Sequence, residues 1–287
     1  MKAIVFGASG QDGIYLSMLL QENMINVVPV NRGEPGTGIQ SFEDVSALVK
    51  QHQPEYIFHF AADSTTRHEV WRSNHETIST GTLNILESVK IYSPQTKVFL
   101  SGSGLQFENN GFPIKESDPF LAGSPYAVSR IHSTYAARYY RSLGIKAYVG
   151  YFFNHDSPYR SERHINKKIA ETARRISAGS KERLEIGDLE VQKEFGFAGD
   201  IVKAVFTLVN QDTVFEAVVG TGKAYSIQQW IEICFDQYGL KWENYYERLP
   251  GFISDHKLLV SDPATIFSLG WKPGNDIYSL AKMMCAE

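Results

Sequence analysis

Cysteine is scarce in this chain: two residues, Cys234 and Cys285, in 287. They stand far apart in sequence, without the paired spacing of a metal-binding or redox motif. A disulfide scaffold and a cysteine metal centre are therefore not expected; two reduced structural thiols in a cytoplasmic setting are. Neither sign of charge is in excess, since 28 Lys and Arg stand against 32 Asp and Glu, a formal net charge of −4. That balance argues against nucleic acid or an anionic membrane surface as a partner. No apolar run approaches the roughly 18 residues of a spanning helix, so no membrane span is expected. The first apolar run begins at residue 2, so no secretory leader is expected. The eight histidines show no metal-ligand spacing with carboxylates or cysteines, and no metal is expected.

What the chain does have is alternation. The apolar runs KAIVFG, NVVPVN, EYIFHFA, KVFLSG and KAYVGYFF recur through the first half. Helical patterns lie between them, over 12–23, 42–51, 76–91 and 126–142. Continuous apolar strands alternating with helices predict a parallel sheet covered on both faces, the doubly wound α/β architecture of Rossmann type. After about residue 153 the alternation loosens, with helical patterns over 162–178, 200–209 and 226–238. Residues 1–153 are thus read as a dinucleotide-binding domain, with later segments such as 196–220 returning to it. Residues 154–287 are read as a smaller, mostly helical substrate lobe.

Gly7, Gly10 and Gly13 sit where the first strand passes into the first helix. Glycines there let backbone amides approach a pyrophosphate, and the helix N-terminus adds the positive end of its dipole. The second strand ends at Asn31-Arg32, with no acid at positions 30–32 to meet a ribose 2′-hydroxyl. Arg32 suits the 2′-phosphate of NADP, unless it is simply a solvated charge; NAD is the alternative cofactor. The following GEPGTGIQS gives no convincing third strand, which leaves that edge of the sheet open.

A second constellation is SPYAVSR, residues 124–130. Ser124-Pro125 opens a helix, and Tyr126 and Arg130 then fall on one face of it. A cation one turn from a phenol favours the phenolate, a usable base. On residue type and spacing alone, the pair also fits an ordinary surface or core position. GTGKAYS (220–226) lacks the spacing of a phosphate loop, and the basic stretch from Asn166 to Glu185 reads as a solvated helix face.

GASGQDGIYL, FHFAADS, SPYAVSR and YFFNHDSP together resemble the extended short-chain dehydrogenase/reductase family, and the first and last are similar to its GDP-mannose 4,6-dehydratase branch. The resemblance runs from residue 1 to about 209 and resumes at SDPATIFSLGWKP. It implies a nicotinamide cofactor held by the glycine turn with Gln11, Asp12, Ala61 and Ala62. It implies a nucleoside-diphosphate sugar as substrate, and a homodimer built through two helices per subunit. Tyr126 would exchange the proton of a sugar hydroxyl during hydride transfer, and Ser103 would bond that hydroxyl. Arg130 takes the place of the family's lysine at the nicotinamide ribose. Asn154, Lys168 and Lys193 match substrate positions. The departures are as specific. Arginine at 130 is no conservative stand-in for lysine. Leu105 stands where a dehydratase places a glutamate base, Phe107 where it has tyrosine, and Phe252 where it has a diphosphate-binding arginine. Dehydration thus lacks its base unless Glu108 replaces it, whereas oxidation, reduction or epimerisation of a sugar carbon needs only tyrosine, hydroxyl and nicotinamide. The competing expectation is a non-catalytic relative that binds the same ligands.

Overall fold

The computed structural model describes residues 1–33, 36, 38–251, 254 and 256–286. Phe252 lies outside them, as do positions 34, 35 and 37 of the GEPGTGIQS stretch. The central sheet takes strands β1 (Lys2–Phe6), β2 (Asn26–Val30), β3 (Tyr56–His59), β4 (Lys97–Ser103) and β5 (Ala147–Phe152). Its sixth strand, β10 (Glu216–Val219), comes late in the chain, and all pairs are parallel in the order β2-β1-β3-β4-β5-β10. Among the described residues no strand follows β2 before the next helix, so β2 is one edge of the sheet.

Alternation along β1 builds the two cores. Ile4 and Phe6 face α2 (Phe42–His52) with Val45 and Val49, while Ala3 and Val5 face α1 (Gln11–Glu22) with Leu16 and Leu20. On the first side α3 (Trp71–Asn74) runs through a π-helical turn at His75–Thr80 into α4 (Gly81–Tyr92), which packs between α2 and α5 (Pro125–Ser142). On the other, α1 packs on α7 (Ala198–Val209). Both faces are therefore covered, which explains why the strands read as unbroken apolar runs.

The rest of the chain forms a lobe beside the carboxyl ends of the strands. Short strands β6 (His155–Asp156) and β9 (Gly196–Phe197) pair with each other, as do β7 (Leu184–Ile186) and β12 (Tyr246–Arg248). β8 (Gln192–Glu194) lies between β11 (Ala224–Ser226) and β13 (Leu258–Leu259). Helices α6 (Ile165–Ser177), α8 (Ile227–Asp236) and α10 (Ile277–Cys285) share a third core around Trp230, and α9 (Ala264–Ser268) packs near β10. Both edges of the central sheet are specialised. β2 carries an exposed proline, Pro29, and β10 gives its Val218 amide to the Glu116 carboxylate at 2.6 Å. No helix of the described residues is long and apolar enough to cross a membrane.

The two cysteines are not apart in space. Cys234 on α8 and Cys285 on α10 are neighbours, the Cys285 thiol donating to the Cys234 carbonyl at 3.9 Å. Both are free and buried, as structural thiols are, and helix packing brings these positions, 51 residues apart, together.

Candidate functional site

The order of strands reverses between β1 and β3, and a crevice opens at the carboxyl end of a parallel sheet where that happens. A cleft of about 460 Å³ lies there. Gly7, Gly10, Gln11, Asp12 and Gly13 line it on one side, and Ser103, Tyr126, Arg130 and Asn154 on the other.

Each turn glycine has its own reason. Gly7 has a φ of +85°, and a Cβ there would stand 2.8 Å from the Ala61 nitrogen. A Cβ on Gly13 would stand 2.3 Å from the Gly7 carbonyl oxygen, so helix and strand touch at that point. Gly10 is different: a Cβ would meet only the Gly7 oxygen, at 3.4 Å, and otherwise points into open space. Gly10 is also the N-cap of α1 and has no side chain to satisfy the first amides of the helix. The turn is therefore a cradle with free amides, the form a pyrophosphate needs.

The first and last of the motifs that carry the resemblance are bonded to each other in the cleft. Gln11 donates to the His155 carbonyl at 3.2 Å and accepts from Ser157 Oγ at 3.0 Å. His155 Nδ1 lies 2.8 Å from the Phe153 carbonyl and Nε2 lies 2.9 Å from Asp12 Oδ1. Both partners are acceptors, so both ring nitrogens are placed to donate, an arrangement that favours the protonated ring. Burial opposes both charges. The pair nonetheless holds Asp12 below and His155 above their ordinary values, through mutual attraction and the bond between them. Asp12 is the one carboxylate among the described residues lining the cleft, and it is committed to His155.

Tyr126 and Arg130 share the face of α5 that looks into the cleft. Pro125 begins the helix and Ser124 Oγ caps it by accepting from the Ala127 amide at 3.1 Å. The Arg130 guanidinium lies over the Tyr126 ring, 5.1 Å from its centroid, and is only 4% exposed. Its Nη1 donates to the Ser101 carbonyl and, at 2.8 Å, to Ser101 Oγ. Burial and this guanidinium push the neighbouring buried His59 down to about 3, so that histidine is neutral. Arg130 Nε and Asn154 Oδ1 are buried with no hydrogen-bond partner among the described residues. A donor and an acceptor left open in one cleft mark places for ligand atoms. Ser103 ends β4 with its Oγ accepting from the Leu105 amide at 3.2 Å. Leu105 lines the cleft, whereas Glu108 is exposed and does not. Phe107 belongs to the core, edge-on to Phe120 and Tyr151 at 4.9 Å.

Other candidates lie elsewhere. Ala62 lines the cleft; Ala61 abuts the glycine turn from beneath and is not among the lining residues. Arg32 does not line it either: its side chain is 72% exposed and pairs with Asp63 at 3.4 Å. Sequence inspection finds no acid at positions 30–32, but the loop after β3 delivers Asp63 to that spot. Lys168 donates to the Glu185 carbonyl at 3.1 Å, away from the cleft. Lys193 is beside a basic group that sequence reading missed. Arg160, held by Asp156 at 3.2 Å, and His164 both line the cleft. Burial lowers Lys193 to about 8, with Arg160 adding to the shift and Asp156 opposing it. Burial and Arg160 lower His164 to about 4. Arg160 stands in the turn after β6, in HDSPYR, where no helical spacing marks it beforehand.

Comparison with known proteins gives the family and the fold. A family model described as GDP-mannose 4,6 dehydratase matches residues 36–284. GDP-mannose 4,6 dehydratase 1 of Arabidopsis thaliana is 28% identical over 320 residues, covering 99% of this chain and 89% of that protein. The fold matches that of RMD from Pseudomonas aeruginosa complexed with NADPH (TM-score 0.88, 21% identity, 99% of this chain and 97% of that one). It also matches UDP-glucose 4-epimerase of Thermus thermophilus in complex with NAD (TM-score 0.85, 20% identity, 100% and 98%).

Proposed function

Because the chain belongs to the GDP-mannose 4,6 dehydratase family, we propose that it is a nicotinamide-dependent enzyme that exchanges alcohol and ketone at one carbon of a nucleoside-diphosphate sugar, without eliminating water. One observation carries this reading. Tyr126, Ser103 and Arg130 share the cleft with the glycine cradle, while the one carboxylate among the described residues lining it is bonded to His155, and Leu105, which the resemblance matches to the dehydratase base, lines it too.

The cradle fits a dinucleotide: Gly10 is open toward the cleft, and the first amides of α1 have no side-chain cap. When bound there, the nicotinamide supplies or accepts the hydride. The chain's own residues handle the proton and the orientation. Tyr126 Oη gives or takes the proton of the sugar hydroxyl, and Ser103 Oγ fixes that hydroxyl. Arg130 places a positive charge against the Tyr126 ring and offers Nε to a ligand oxygen. Asn154 Oδ1 accepts from a substrate hydroxyl, and Arg160 with Lys193 receives the diphosphate.

We take NADP(H) as the preferred cofactor, with Arg32 turning to the 2′-phosphate. Its pairing with Asp63 is no obstacle, because an exposed ion pair is worth at most about 1 kcal/mol. Titration calorimetry with NADPH and NADH tests this, and Arg32→Ala should erase the difference. A homodimer through α4 and α5 fits the exposure of Leu83, Tyr135 and Tyr139 on those helices; sedimentation of the protein and of Tyr139→Glu tests it.

The deciding experiment follows absorbance in the reduced-nicotinamide band while a panel of nucleoside-diphosphate sugars and their keto forms is offered. Turnover with no dehydrated product supports the proposal. A dehydrated product overturns it. Binding of cofactor and sugar nucleotide without turnover favours the non-catalytic alternative, toward which the anchoring of Arg130 on Ser101 points.

A further inference from the structure

We propose that Cys234 and Cys285 form a reversible intramolecular disulfide that fastens α10 to α8. The two residues stand on packed helices of the C-terminal lobe and lie in one core with Trp230 and Leu280. The Cys285 thiol reaches the Cys234 carbonyl at 3.9 Å, which puts its sulfur against the backbone of the other cysteine. Nothing in the cleft chemistry uses either one.

The pair is chemically unequal. Cys234 is wholly buried, and burial together with its neighbour holds that thiol well up. Cys285 is 7% exposed, and hydrogen bonds from Cys234 and then Tyr238 hold its thiol down against burial. Of the two, Cys285 is the less deeply buried and the one its neighbours favour as thiolate, so it is the one placed to attack first. With a small-molecule disulfide such as oxidised glutathione as oxidant, the Cys285 thiolate attacks one sulfur of the oxidant's S–S bond and expels one glutathione thiolate. Cys234 then loses its proton to solvent, attacks the Cys285 sulfur and expels the second. Two protein thiols are oxidised to one disulfide, and one oxidised glutathione is reduced to two glutathione molecules.

Closing the bridge ties off the segment between the two cysteines, and a long closed loop restricts the unfolded chain more than a short one. That segment includes β13, whose Leu259 lines the cleft.

The test uses the full chain, held either in oxidised glutathione or in dithiothreitol. The proposal expects an oxidised monomer lighter by two hydrogens, with no thiol titratable in denaturant, against two in the reduced protein. It expects a rise in Tm of several degrees that dithiothreitol reverses. Cys234→Ala and Cys285→Ala should each show no such rise. Digestion of the oxidised wild type should yield one peptide pair joined through positions 234 and 285, a readout that needs no variant to fold. Retention of both thiols, arrest at a glutathione adduct, or a bond only between molecules overturns it.

Discussion

Arg130 lies over the face of the Tyr126 ring, 5.1 Å from its centroid, and gives Nη1 to Ser101 at the end of β4. One guanidinium thus joins the proposed acid–base residue to the strand beneath it. Tyr126→Phe should abolish turnover, a loss of about a hundredfold to ten-thousandfold, while the dissociation constant for the cofactor changes by no more than about twofold. Arg130→Lys should keep or raise turnover yet lower Tm by a few degrees, since two buried acceptors lose their donor. Arg130→Met should weaken both binding and turnover. Unchanged turnover in Tyr126→Phe removes the phenol from the mechanism.

Leu105 sets the reaction type. The wild-type protein should release no 4-keto-6-deoxy product from GDP-mannose, and Leu105→Glu should gain a measurable amount. The position is half-buried and faces the cleft, so a carboxylate there stays partly solvated and the fold tolerates it. Chromatography of the sugar nucleotides reads the outcome; efficient release by the wild type sinks the idea.

The turn glycines separate structure from binding. Gly13→Ala drives a methyl against the Gly7 carbonyl and Ala8, so its Tm should fall by several degrees. Gly10→Ala meets only one atom, at 3.4 Å, and should melt almost as the wild type does. It should nonetheless bind NADPH at least tenfold more weakly, because its methyl occupies the approach of the pyrophosphate, roughly 1.4 kcal/mol or more. Equal binding by wild type and Gly10→Ala in calorimetry places the cofactor elsewhere.

His155 and Asp12 predict a pH window. The raised histidine contributes stability that is fully present below its ordinary value of 6.5 and is lost as pH rises through the folded value. The lowered aspartate contributes stability that is present above 3.8 and is lost as pH falls through its own folded value. The pair therefore stabilises most between those two limits. His155→Gln should cost more Tm at about pH 5.5 than at about pH 9. A cost independent of pH means that the ring is not charged.

The strands of the first half were readable because burial on both faces leaves unbroken apolar runs, and α5 because Ser124-Pro125 marks its start. The glycine spacing located the cradle, and Tyr126 with Ser103 fell on its far wall. The lobe was less legible, since β6 to β9 and β11 to β13 have two or three residues each, too few to show a period. Most hidden were pairings with no local signature. Arg32 with Asp63, Cys234 with Cys285 and His155 with Asp12 are separated by 31, 51 and 143 residues. Asp63 escaped for a plain reason: it arrives from the loop after β3, 31 residues beyond the arginine it pairs with.

Pro29 on β2 and the Glu116 carboxylate on β10 act at opposite ends of the sheet, and together they decide how this molecule can meet another. A strand added beyond β2 would find a ladder position with no donor, and one added beyond β10 would find the Val218 amide already taken. Lateral growth by backbone pairing is blocked in both directions. A sheet ended this way has little tendency to seed fibrils when the protein is crowded, and its contacts with other molecules are left to side chains on helices and loops.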